Sequence, residues 1–204
     1  NPLHTALAVY GCVLGYDLIA DEMKDKELSE LVKRIGLVEG MPVVTNPGII
    51  DPEKFADEVI NVRIPNPFMP DTPQRIATDT SQKVGIRYGE TIKSYVAKDG
   101  SARALTAIPL AIAGWCRYLL GIDDNGEAFE LSPDPMADEL KCQLDGIVWG
   151  ESSSYTGQLK NLLSNANIFG INLYEAGIGD KIEEMFVEEI SGKGAIRETL
   201  KKYL

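Results

Sequence analysis

The chain has 204 residues, 44% of them hydrophobic and 25% charged, a profile of a soluble globular protein with room for one well-cored domain. A formal net charge of −11 sets it against nucleic-acid phosphates and anionic membranes, so neither is an expected partner. His4 is the only histidine, which excludes a His-rich metal site; a carboxylate-only Mg or Ca site stays open, though no EF-hand-like loop is present, and no run approaches the length of a membrane span.

Taken in order, Asn1 can cap a helix whose first position is Pro2. Leu3, Leu7, Tyr10 and Leu14 follow at helical spacing with small residues between them, the pattern of a buried helix. The sequence opens on Asn1 rather than Met, directly in this pattern, and is expected to be the downstream part of a longer protein. Asp17 to Ile35 predicts one or two acidic amphipathic helices, with Asp21 and Glu22 on a solvated face. Gly36 to Asn46 predicts a short extended piece with Met41, Val43 and Val44 inward. Asp51-Pro52-Glu53 opens another helix, with Phe55, Val59 and Ile60 on one side.

The stretch from Asn66 to Tyr95 predicts one long helix beginning near Asp71 or Thr72. Ala77, Val84, Tyr88, Thr91 and Tyr95 share a narrow packing sector, and Arg75, Asp79, Gln82, Lys83, Glu90 and Lys93 fall opposite. That polar stripe is either a solvated face with pairs such as Arg75 and Asp79, or a set of cations shown to a pocket.

Ala102 to Gly121 predicts the main core helix, kinked at Pro109, with Trp115 and Tyr118 as packing residues. Ile122 to Pro135 is a loop. Short helices follow at Met136 to Leu144 and Tyr155 to Leu163, and amphipathic ones at Asp180 to Ile190 and Ala195 to Leu204. Glu183 and Glu184 are expected on a solvated face. Strand-like alternation is scarce, and no strand is followed by G-x-G-x-x-G, so the chain is mainly α with no dinucleotide-binding unit of its own. Cys12, Cys116 and Cys142 are odd in number and widely spaced, and are expected as reduced, buried thiols of a cytoplasmic protein.

N-P-L-H at Asn1 to His4, R-I-A-T-D-T-S-Q-K at Arg75 to Lys83, the long run from Ala107 to Pro135 around Trp115, and I-F-G-I-N-L at Ile168 to Leu173 together resemble the long-chain mannitol dehydrogenase family of polyol and sugar-acid dehydrogenases. The resemblance spans nearly the whole chain and lies closest to the branch acting on D-mannonate, with mannitol 2-dehydrogenase and tagaturonate reductase activities as alternatives. It implies a single helical domain, residues 1–204, similar to the C-terminal domain of 6-phosphogluconate dehydrogenase. It also implies an N-terminal Rossmann domain of the same protein that holds NAD, with NADP not excluded. The family pairs a catalytic Lys with Asn and His in the order Lys, four residues, Asn, two residues, His. Asn1 and His4 fit the last two, and the Lys would precede Asn1.

The implied reaction moves a hydride between a nicotinamide and a secondary alcohol or ketone without a metal. By this resemblance Asn1 donates its amide to the developing oxyanion, and His4 orients a substrate hydroxyl. Both stand at the start of a helix, where free N–H groups and the positive dipole end favour negative charge. Arg75 and Lys83 are the implied substrate-binding cations, Arg being suited to a carboxylate. Arg87 is given no catalytic role. The competing reading is a helical binding or assembly domain without catalysis. Circular dichroism of this chain alone should show a folded helical domain, and a nicotinamide absorbance assay should show no fructuronate reduction without the Lys and the cofactor domain.

Overall fold

The computed structural model describes residues 1–204 and is helical throughout, with two isolated β-bridges, Ile122 to Ala128 and Val148 to Glu151, and no strand. Helix α1 spans Pro2–Leu14 and is capped by Asn1, whose Oδ1 accepts from the Leu3 N–H at 2.8 Å. The short α2, Ile19–Glu22, leads to α3, Lys26–Lys33, capped by Asp25. α3 runs on as a π-helical turn, Arg34–Gly40, and a 3-10 turn, Met41–Val43. α4, Pro52–Glu58, is capped by Asp51 and also runs on as a π-helical turn, Val59–Arg63. α5 is Pro73–Ile76; α6, Thr80–Val84, continues through a third π-helical turn, Gly85–Gly89, into α7, Glu90–Asp99. The remaining helices are α8 Ala107–Tyr118, α9 Ala137–Gln143, α10 Lys160–Leu163, α11 Ala166–Phe169, α12 Gly179–Glu189 and α13 Ala195–Tyr203.

Every residue of α8 is buried, and α1 and α12 pack against it. Trp115 donates from Nε1 to Thr80 Oγ1 at 3.0 Å and meets the Phe169 ring edge-on at 5.8 Å, so it is a core residue. The start of α8 is held by a buried carboxylate. Glu39 Oε1 accepts from the N–H groups of Thr106 and Ala107 at 2.6 and 2.7 Å, and Oε2 from Ile108 at 2.8 Å. The fourth position is Pro109, which has no N–H to satisfy. The expected kink at Pro109 is therefore absent: the proline lies in the first turn, where it costs no hydrogen bond.

Several expectations need correction. The long helix from Asp71 to Tyr95 is broken: α5 ends at Ile76, and Asp79 takes φ 56°, the one positive φ outside glycine. The Asp79 N–H is drawn to Pro133 O at 2.9 Å, a tertiary contact that turns the chain before α6. Arg75 pairs with Asp71 at 2.9 Å, not with Asp79. The segment after Gly36 is helical rather than extended, and Val44 is exposed. From Tyr155 to Leu163 only Lys160–Leu163 is helix. Cys12 and Cys116 are buried free thiols, but Cys142 is exposed on α9.

Glu22 is fully buried, not solvated. Gly11 makes room for it: a Cβ there would fall 2.2 Å from Glu22 Oε1 and 2.7 Å from Pro73 Cγ. Burial drives its pKa well above the ordinary carboxylate value, with the charge of Asp25 adding to the effect, and neither oxygen has a hydrogen-bond partner.

Glu189 is a second buried acid. The Tyr10 hydroxyl donates to Leu110 O at 2.8 Å and lies 2.6 Å from Glu189 Oε1. The hydroxyl is thus shared between a carbonyl and the carboxyl, and Glu189 Oε2 has no partner at all. Burial, the main cause, raises the Glu189 pKa from 4.5 to about 8, against the lowering effects of the Tyr10 contact and Arg117.

Two stability measurements follow from these contacts. Glu39→Ala leaves three buried N–H groups unpaired and should destabilise the fold by on the order of 3 kcal/mol in urea unfolding. Glu189 holds a proton in the native state that the unfolded chain releases near pH 4.5. Its contribution is full below that pH and declines up to about pH 8, by at most about 1.4 kcal/mol per unit. Glu189→Gln should flatten this decline in melting temperatures taken across pH 5 to 8, with the part due to Glu22 remaining.

Candidate functional site

The start of α1 is held from three directions. Arg87 Nη1 donates to Asn1 O at 2.7 Å and to Thr5 Oγ1 at 3.2 Å. Tyr88, buried below, donates from its hydroxyl to Pro2 O at 2.9 Å. The Asn1 side chain closes on Leu3 N–H through Oδ1, which leaves its NH₂ as the free end of the amide. Capping and donation to a ligand are thus compatible roles for Asn1, because the cap fixes which end of the amide points away.

One turn on, His4 is half-buried and makes no hydrogen bond within the chain. Asn1 and His4 share the wall of a cavity of about 180 Å³ with Phe55, Arg63, Met69 and Asp71. Burial, the main cause, lowers the His4 pKa below 6.5, with Arg87 adding to the effect and Asp71 opposing it. The imidazole is therefore neutral at neutral pH and can donate from one nitrogen and accept at the other. A second cavity of about 700 Å³ also has Asn1 in its wall, with Phe55, Val44, Arg87 and Glu90.

The two other expected site residues stand at the edge. Arg75 donates to Asp71, which is in the cavity wall, but its own side chain is 73% exposed and it does not line the cavity. Lys83 is half-buried, donates to Thr78 O at 2.6 Å, and is near enough to Asn1 to act on charge there. Asn1 and His4 are thus brought together, with Asp71 linking them to Arg75, while Lys83 approaches from α6.

Sequence reasoning passed over Arg63, Phe55 and Asp71 as site residues. Arg63 closes the π-helical turn after α4, and its guanidinium meets Glu58 Oε1 through Nε at 3.0 Å and Nη2 at 2.9 Å. It also lies 5.3 Å from the centre of the Phe55 ring. The signal was the switch from a helix to the proline-rich Pro65–Pro70 stretch directly after Arg63. That switch places Arg63 where the chain turns back toward Asp71.

An all-helical domain that sets an amide and a neutral imidazole in one small cavity is suited to binding a hydroxylated molecule and steadying charge on its oxygen. The comparisons fit this class. Residues 1–190 match the family model described as mannitol dehydrogenase C-terminal domain, and the chain belongs to that family. It is 56% identical over 203 residues to D-mannonate oxidoreductase of Thermotoga maritima, covering 99% of this chain and 38% of the relative. It is 31% identical over 141 residues to D-mannonate oxidoreductase of Escherichia coli, covering 69% of this chain and 28% of that one. The fold matches Pseudomonas fluorescens mannitol 2-dehydrogenase, solved as a ternary complex with NAD and D-mannitol, with a TM-score of 0.82 at 23% identity. That match covers 99% of this chain and 38% of the other. The chain thus spans less than two fifths of the length of these relatives. No helix is long and apolar enough to cross a membrane.

Proposed function

We infer that this chain is the substrate-binding and catalytic half of an NAD-dependent oxidoreductase that interconverts D-mannonate and its keto form, D-fructuronate. The observation that carries the reading is the cavity that joins the free amide end of Asn1 to the unpartnered imidazole of His4. It occurs in a chain 56% identical to a D-mannonate oxidoreductase.

The residues of this chain do not fit the cofactor. There is no sheet and no glycine loop between a strand and a helix to take a pyrophosphate. NAD belongs on an N-terminal Rossmann domain of the same protein, and nothing in this chain favours it over NADP. Val44, Phe55 and Met69 line the two cavities with much of their surface exposed, and Phe68 is almost wholly exposed beside Met69. Such an apolar rim suits cover by a second domain. Free thiols fit a cytoplasmic setting.

Within the site, Asn1 donates to the substrate oxygen as negative charge gathers on it, and His4 holds a neighbouring hydroxyl. Proton transfer at that oxygen falls to the Lys that the family pattern sets upstream. Arg75 and Lys83 act from the rim on the substrate's other polar groups. A neutral polyol such as D-mannitol is the competing substrate.

The test uses the full-length protein. Asn1→Ala should lower kcat for D-mannonate on the order of 10²-fold with a much smaller change in KM, because the donor acts on charge that develops in the transition state. Normal turnover with a lowered melting temperature would instead make Asn1 a helix cap alone.

A further inference from the structure

We propose that Arg63 is the specificity residue that receives the carboxylate of the sugar acid. This deepens the reading above and rests on it. The problem it solves is electrostatic. This chain carries a net charge of −11, and the cavity wall contains Asp71, so an anionic substrate meets repulsion from the domain and from the wall itself. A cation in the wall must offset it.

The other cations near the site are committed. Arg75 is tied to Asp71, is 73% exposed and does not line the cavity. Lys83 is bound to a backbone carbonyl, and Arg87 spends Nη1 on the start of α1. Arg63 alone among the cations lines the cavity with Asn1 and His4.

Its local structure suits the task. Val59 and Ile60 are buried at the start of the π-helical turn, and Ile64 is buried just past its end. The Ile64 N–H closes on Val59 O at 2.9 Å, an i→i+5 bond that makes the turn wide. Arg63 is thereby anchored on both sides while its side chain remains 52% exposed. The Phe55 ring and Glu58 hold the guanidinium in one place, and both of its bonds go to a single Glu58 oxygen. Nη1 has no partner. An ion pair this exposed contributes little to stability, so yielding part of it to a substrate costs little. A carboxylate docked on the remaining edge gains a charge-assisted contact over an aromatic platform. A neutral polyol, with a hydroxymethyl group in that position, gains almost none of this. Arg63 therefore sets the choice between acid and polyol, while Asn1 and His4 serve both.

The experiment compares wild type, Arg63→Ala and Arg63→Lys in the full-length protein, with D-mannonate and D-mannitol as substrates. Arg63→Ala should raise the KM for D-mannonate ten- to hundredfold, leave kcat within a few-fold, and leave the constants for D-mannitol unchanged. Arg63→Lys should recover part of the loss, since it keeps the charge without the fork. Added salt should lower the D-mannonate KM of Arg63→Ala, where only the repulsion of the acidic protein is left to screen, more than that of wild type. Equal losses on both substrates, or no loss on D-mannonate, overturn the proposal while leaving the sugar-acid reading intact. Removal of the acid preference by Arg75→Ala but not by Arg63→Ala also overturns it, and moves the carboxylate to Arg75. A wild-type protein that oxidises D-mannitol but not D-mannonate overturns the sugar-acid reading and the proposal together. Arg63 is half-exposed and its guanidinium pairs with Glu58 and Phe55 alone, so a melting curve unchanged by the substitutions is expected and separates binding from folding.

Discussion

Three backbone N–H groups at the head of α8 converge on one carboxylate, that of Glu39, and much of the molecule is arranged by that convergence. α8 is the buried axis of the fold, and a buried helix start must find acceptors without water. Glu39 supplies them from the π-helical turn after α3, and its own carbonyl accepts from the Tyr95 hydroxyl at 2.7 Å. Thus α3, α7 and α8 meet at one residue. The same turn contributes Ile35, Gly36 and Gly40 to the wall of the larger cavity beside Asn1. The core and one wall of the site therefore share an anchor, and neither can shift without the other.

The site is built in the same economical way. The carbonyl of Asn1 is gripped by Arg87, its side-chain oxygen by Leu3 N–H, and the next carbonyl by Tyr88. What remains free is the amide NH₂. The third π-helical turn, which carries Arg87 and Tyr88, rests directly on the α11 backbone: a Cβ on Gly89 would fall 1.8 Å from Phe169 O. That contact ties the I-F-G segment to the start of α1 through two layers of packing. It gives a physical reason for these distant stretches of sequence to appear together in the family resemblance.

Local chemistry was legible in the sequence wherever it decided the structure. Asn1 and Pro2 start α1, Asp51 and Pro52 start α4, and the apolar run around Trp115 is the core. Asn1 and His4 came from the family resemblance of N-P-L-H and not from local chemistry, which reads Asn1 as a simple helix cap. The failures share a cause. A period of 100° per residue assumes an unbroken α-helix, whereas Asp79 leaves it for a tertiary bond to Pro133, and three π-helical turns shift the phase. The burial of Glu22 depends on how closely Gly11 and Pro73 approach, which no charge pattern encodes. Phe55, Arg63 and Asp71 come to His4 from a segment some fifty residues or more downstream, so only the folded chain brings them together.

A π-helical turn holds one residue more than an α-helix of the same reach. The turn at Val59–Arg63 accommodates that extra residue without opening a loop. Removing a single codon there would restore the α period and rotate all that follows by about 100°. The hydrophobic anchors can be regained by small repacking, but Arg63 would leave the cavity. Residue correspondence between members of this family therefore has to be drawn turn by turn, because an alignment gap placed a few positions away pairs the wrong side chains. On the role proposed for Arg63, one such step would move the carboxylate contact while leaving Asn1 and His4 in place.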